Sequence, residues 1–206
     1  MFIKRLIVGR FQTNCYILGD ESTGEAAVID PGDNAQGILD LLDSTKMKTK
    51  YVILTHGHYD HISAAREILD ATGAKLAAFC LESEMLKNTR LCLQYLFTKE
   101  PFEPLIPDLE FKNGDMLRLG SLELKIMHTP GHTKGSCCII CGYEIFCGDT
   151  IFFESIGRTD FPTGDSGELR KTLKALAELA GDFRLYPGHG EQTTLSHERR
   201  YNSYLS

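Results

Sequence analysis

A chain of 206 residues, 42% of them apolar and 24% charged, has enough material for one α/β core and the wrong composition for a disordered or fibrous polymer. Its net charge of −6, with Lys and Arg scattered rather than clustered, argues against a nucleic-acid partner. The N-terminal apolar run is too short for a signal peptide and no stretch reaches the length of a membrane span. The expectation is therefore one cytoplasmic domain over residues 1–206 that takes a small-molecule substrate, with no membrane partner and an oligomeric state the sequence leaves open.

In chain order, apolar runs predict strands over Phe2 to Val8, Cys15 to Leu18, Ala26 to Ile29 and Tyr51 to Leu54. Asp30-Pro31-Gly32 turns the third of these towards a helix from Asn34 to Asp43. A second helix is expected from Ile62 to Thr72, closed by Gly73, and then a strand from Lys75 to Phe79. Residues 82–110 read differently: two short helices, three prolines (Pro101, Pro104, Pro107) and the aromatics Tyr95, Phe97 and Phe102. They fit equally a flap over a site and a hydrophobic cover for a sheet edge. The β pattern resumes at Leu117 to Leu119, Leu122 to Met127, Ser136 to Cys141 and Tyr143 to Cys147. A helix from Gly167 to Leu179, a strand from Phe183 to Tyr186 and a helix from about Leu195 complete the chain. Two successive β-rich, helix-bearing halves predict two sheets packed face to face with helices outside.

Seven cysteines, an odd number, fall mostly inside the strand-like runs, so buried reduced thiols are expected rather than disulfides. Cys138 and Cys141 match C-x-x-C, but residues three apart on a strand face opposite ways and cannot share an ion.

The densest chemical feature is Thr55-His56-Gly57-His58-Tyr59-Asp60-His61, directly after an apolar strand. A rigid strand that ends in three imidazoles and a carboxylate reads as a support for a divalent cation. Three further candidates follow strands in glycine-flanked turns: His132 in Pro130-Gly131-His132, Asp149 in Gly148-Asp149-Thr150, and His189 in Pro187-Gly188-His189-Gly190. Small neighbours let the backbone approach an ion closely and fix the ligand's angle. His128 and His197 lie outside this pattern: His128 reads as structural, and His197, beside Glu198-Arg199-Arg200 on the terminal helix, as a residue of a solvated face.

This set, in this order from 55 to 190, resembles the metallo-β-lactamase superfamily. The resemblance implies an αβ/βα four-layer sandwich of two mixed β-sheets with helices on both outer faces. It implies two divalent metal ions, zinc first with iron or manganese also compatible. His56, His58 and His132 would hold one ion, Asp60, His61 and His189 the other, and Asp149 would bridge them. Water activated between the ions would attack a carbonyl, with Asp60 also orienting that water as a catalytic group.

The stretch Phe152 to Pro162, together with Asn14-Cys15-Tyr16, is similar to glyoxalase II-like thiolester hydrolases, the hydroxyacylglutathione hydrolases. Their basic residue in the corresponding loop maps to Arg158, which the resemblance casts as a grip on a glutathione carboxylate, against the plainer role of stiffening the loop through Asp160 or Asp165. Only a short helix follows Leu195 where the full-length enzymes carry a further helical region, so the likeness is to the compact subgroup. Gly157 to Phe161 also resembles persulfide dioxygenases, which would keep one iron on His56, His132 and Asp149. A non-catalytic scaffold is the alternative of a different class, and the full ligand set argues against it.

Overall fold

The computed structural model describes residues 1–205. The first half runs β1 (Phe2–Val8), β2 (Thr13–Asp20), β3 (Glu25–Ile29), α1 (Ala35–Thr45), β4 (Lys48–Ile53), α2 (Tyr59–Ile62), α3 (Ala65–Thr72), β5 (Lys75–Phe79) and β6 (Leu109–Phe111). The second half runs β7 (Met116–Leu119), β8 (Leu122–His128), β9 (Cys137–Cys141), β10 (Glu144–Gly148), β11 (Ile151–Phe152), β12 (Ser155–Ile156), α4 (Ser166–Ala177), β13 (Arg184–Pro187), β14 (Thr193–Thr194) and α5 (Leu195–Tyr201).

One six-stranded sheet has the order β1-β2-β3-β4-β5-β6, and the other β14-β13-β10-β9-β8-β7. Both are mixed: β3, β4, β5 and β6 run parallel in the first, and β10 and β13 in the second. The four layers follow from the period of two along each strand. Cys15, Ile17, Val28, Val52 and Leu54 point outward to pack with Ile38, Leu42, Ala65 and Ile68 of α1 and α3. Their neighbours Tyr16, Leu18, Ala27, Ile29, Tyr51 and Ile53 point inward and meet Leu124, Ile126, Ile139 and Phe146 of the second sheet. On that sheet's outer face Cys138, Ile145 and Leu185 pack with Leu169, Leu173, Leu176 and Leu195 from α4 and α5. Cys138 and Cys141 therefore lie in different cores, as the alternation requires, and all seven cysteines are free.

One expectation needs correction. The helix predicted over Ile62 to Thr72 is two short helices, and the first begins at Tyr59, so Asp60 and His61 are helical residues rather than loop residues. The break lies at Ser63-Ala64, where Ala64 N–H donates to Pro31 O at 3.0 Å and Ser63 Oγ–H to Gly32 O, tying the chain to the turn after β3 in place of a continued helix. Residues 82–110 hold the two expected short helices, Met85–Lys87 and Gln94–Leu96, each a single 3₁₀ turn, and a third such turn, Cys80–Glu82, precedes them. This segment buries Met85, Leu86, Cys92 and Leu105 in the outer core as a cover, while Phe97 turns towards the site. The hairpin β11–β12 and the edge strands β6 and β14, each two or three residues long, escaped the sequence pattern because so short a run shows no period.

Among the described residues, no helix is long and apolar enough to cross a membrane.

Candidate metal centre

The candidate residues gather where strands of both sheets end. His56, His58, Asp60 and His61 follow β4, His132 follows β8, Asp149 follows β10 and His189 follows β13. Backbone bonds lock these ends together: Cys137 N–H donates to Thr55 O at 2.9 Å, Gly188 N–H to Gly148 O at 2.8 Å, and Asn14 N–H to Gly188 O at 2.7 Å. Two glycines are sterically required. A Cβ on Gly188 would sit 2.2 Å from Asp149 Oδ1, and one on Gly32 would sit 1.7 Å from Asp60 O.

All seven predicted ligands converge. His56, His58 and His132 form one buried group, with His58 Nδ1 2.9 Å from His132 Nε2. Asp60, His61 and His189 form a second, with His189 Nε2 3.3 Å from His61 Nε2 and 3.2 Å from Asp60 Oδ2. Asp149 reaches both: its Oδ2 is 3.5 Å from His132 Nε2 and 3.6 Å from His189 Nε2, and its Oδ1 is 3.4 Å from His61 Nε2.

Of the four buried side-chain atoms without a hydrogen-bond partner among the described residues, Asn14 Oδ1, His58 Nε2, His56 Nε2 and Asp149 Oδ1, the last two are ones a cation at the centre would need. Native interiors avoid such an arrangement unless something else satisfies the atoms. Four imidazoles are held from behind through Nδ1: His56 by Thr55 Oγ1 at 3.1 Å, His61 by Asp30 Oδ2 at 3.0 Å, His132 by Arg158 O at 2.7 Å and His189 by Phe11 O at 3.1 Å. Each contact orients a ring and turns Nε2 to the centre, the usual support for a ligating histidine. His58 is reversed, presenting Nδ1, and its ring meets Phe161 edge-on at 5.7 Å.

Charge divides the same way. Burial and then the surrounding imidazoles hold His56 and His58 well below the ordinary histidine range, keeping them in the neutral, ligating form. Burial pushes His61 down too, but Asp149, Asp60 and Asp30 outweigh it and drive its pKa up to about 10. For Asp60, burial pushes upward, and His61 and His189 overcome it to hold the carboxyl below its usual range. A site rich enough in carboxylate to keep a buried imidazole protonated is one that favours a cation.

Sequence reading missed three supports. Asp30 accepts from Thr55 N–H at 2.8 Å and Thr55 Oγ–H at 2.6 Å besides holding His61. It also groups with His56 and His61, yet both its oxygens are taken, which makes it a positioning residue. It stands at φ 52°, a left-handed conformation that aspartate tolerates better than most residues, and that position in the Asp-Pro-Gly turn was its one local signal. Glu82 is 1% exposed and ties two ligand loops, accepting from Gly57 N–H at 2.7 Å, Gly135 N–H at 2.9 Å and Thr133 Oγ–H at 2.8 Å. Burial pushes its carboxyl pKa up against those bonds. Asn14 clamps the His189 turn through Pro187 O and Gly190 O, at 2.9 and 3.0 Å.

Arg158 stands beside the centre, where its guanidinium donates twice to Asp160 at 2.6 Å and lies 3.8 Å over the Phe161 ring. His128 stacks on Phe79 and bonds to Lys134 O, a structural part as expected. His197 is more engaged than a solvated face implies: it is half-buried, stacked on Phe153 and bonded to Glu154 at 3.0 Å.

The family model for the metallo-beta-lactamase superfamily matches residues 8–189. A Haemophilus influenzae protein called hydroxyacylglutathione hydrolase GloC is 32% identical over all of this chain and 99% of its own. The crystal structure of the B3 metallo-beta-lactamase BLEG-1 superposes with a TM-score of 0.92 at 30% identity, covering 100% of both chains. That of TTHA1623 in a di-iron-bound form gives 0.87 at 30% identity, covering 98% of this chain and 100% of the other.

Proposed function

We propose that this chain, which belongs to the metallo-β-lactamase superfamily, is a binuclear metal-dependent hydrolase that cleaves thiolesters of glutathione or a related thiol. The observation that carries the reading is the carboxylate of Asp149 standing between two separate three-ligand groups. A single iron would need only His56, His132 and Asp149, so the convergence of Asp60, His61 and His189 as a second group favours two ions over the one iron of a dioxygenase. The substrate class rests on the name of the Haemophilus influenzae relative.

His56, His58 and His132 would hold one ion and Asp60, His61 and His189 the other, with Asp149 shared; zinc suits this imidazole and carboxylate set, and the di-iron relative marks iron as compatible. When bound, such a pair supplies water acidified towards a pKa of about 7 and polarises a carbonyl oxygen. The chain's residues arrange the rest. Asp60, about one-fifth exposed, is open to the approaching substrate and can accept a hydrogen bond from the attacking water. Asp30, Thr55 and the carbonyls of Arg158 and Phe11 hold the imidazoles still, so little reorganisation accompanies reaction. Water adds to the carbonyl carbon, the carbon–sulfur bond breaks, and acid and thiol leave.

The test is elemental analysis paired with turnover of S-lactoylglutathione by zinc-, iron- and manganese-loaded protein. Two ions per chain, hydrolysis, and a lower metal content in Asp149→Ala are expected. One ion per chain with oxygen uptake on glutathione persulfide would replace this reading with the dioxygenase.

A further inference from the structure

Beside the Asp60 group lies a cleft of about 270 Å³ that no ligand residue except Asp60 lines. Arg10, Phe11, Asp33, Tyr59, Asp60 and Phe97 are among the residues that line it. Besides the candidate ligand Asp60, two opposite charges, Arg10 and Asp33, therefore face one small space, and each is uncommitted. Among the described residues Arg10 makes no ion pair or hydrogen bond; its guanidinium lies 4.7 Å from the Phe11 ring and 5.0 Å from the Phe97 ring. Asp33 has no cationic partner and accepts only from the backbone of its neighbour Asn34, at 2.6 Å.

The scaffold holds these charges in place without letting them cancel. Phe11 and Phe97 meet edge-to-face at 4.7 Å and Phe97 stacks on Tyr59 at 6.1 Å, a ring platform within cation–π reach of the guanidinium. Asp33 packs against Gly9, where a Cβ would lie 2.6 Å from its Oδ2, so it stands next to the residue before Arg10. Arg158, on the far side of the centre by Phe161 and His58, differs in having its guanidinium filled by Asp160.

We infer that this cleft recognises an α-amino-carboxylate end of the substrate, with Arg10 taking the carboxylate and Asp33 the ammonium. One zwitterionic group satisfies both charges, whereas a simple anion leaves Asp33 repelling it and a simple cation leaves Arg10 doing so. The ring walls suit the two methylenes of a γ-glutamyl arm, which continues through an amide and the cysteinyl sulfur to the reacting carbonyl. The inference rests on the thiolester hydrolase reading and names what that site selects.

The test uses full-length zinc-loaded protein and three lactoyl thiolesters: of glutathione, with its γ-glutamyl α-amino-carboxylate; of glutaryl-cysteinyl-glycine, which lacks only the amine; and of N-acetylcysteamine, which lacks both charges. Arg10→Gln should lower kcat/KM for the glutathione thiolester relative to the N-acetylcysteamine one by about tenfold or more, through KM, with two zinc ions retained. Asp33→Asn should lower the glutathione thiolester relative to the des-amino one by about threefold or more. Unchanged ratios in either variant overturn the inference while leaving the hydrolase reading intact. If wild type cleaves none of the three, the hydrolase reading fails instead. Calorimetric binding of S-methylglutathione to zinc-loaded protein then judges the cleft separately: affinity lost in both variants supports it, and affinity equal to wild type in either one rejects it.

Discussion

Replacing Glu82 with alanine tests whether one buried carboxylate holds the two ligand loops in register. Glu82 accepts three bonds, and Thr133 Oγ keeps a second partner in Ser136 Oγ at 2.8 Å. The truncation therefore strands two buried backbone donors, Gly57 N–H and Gly135 N–H. At about 1–3 kcal/mol for each orphaned donor, the loss is about 2–6 kcal/mol before any cavity is counted. Measured by urea unfolding with a slope of about 2 kcal/mol per M, the midpoint should fall by about 1–3 M. Zinc affinity from chelator competition should fall with it, because Gly57 lies between His56 and His58 and Gly135 closes the loop of His132. Glu82→Gln keeps the volume but turns an amide donor towards one of the two N–H groups, so it should cost less than alanine and more than nothing. A midpoint within about 0.2 M of wild type in Glu82→Ala, with unchanged zinc affinity, would show that the loops hold their geometry without the carboxylate.

Asp30→Ala removes the acceptor behind His61 and should weaken zinc binding by about 10–100-fold in chelator competition; an unchanged constant would return Asp30 to a merely local turn role. Gly188→Ala pushes a methyl group into Asp149 and His61, and elemental analysis should find the second equivalent of metal lost; full occupancy would mean the His189 turn can shift freely. In metal-free protein the raised His61 pKa stabilises the fold fully below the unfolded value of about 6.5, and that stability is lost as pH climbs to about 10, so Tm should fall across this window; a Tm that rises there contradicts the carboxylate-rich picture. Burial pushes the Cys138 thiol up to about 11 and raises those of Cys15, Cys137 and Cys147 as well, so a thiol reagent at pH 8 should label native protein at no more than the half-buried Cys80 and all seven cysteines after denaturation; rapid native labelling beyond one would refute the packing.

Much of the fold was legible because its signals are local. The apolar runs Cys15 to Leu18 and Tyr51 to Leu54 read as buried strands, and alternate residues of each go to the two cores. The helix break at Ser63-Ala64 was not legible, since its cause is the distant turn at Pro31-Gly32 reaching across to Ala64 and Ser63.

The sequence by itself determined the seven candidate ligands that converge, because imidazoles and carboxylates beside glycines at strand ends carry their chemistry in the residue type and its nearest neighbours. Only the tertiary structure decided which nitrogen each ring presents, that Asp30 and Glu82 work from behind, and that Arg158 is paired while Arg10 is open. Those outcomes depend on contacts between segments far apart in the chain, such as Glu82 with Gly57 and Gly135 or Arg10 with Phe97, and a long-range partner leaves no mark on the local pattern of either segment.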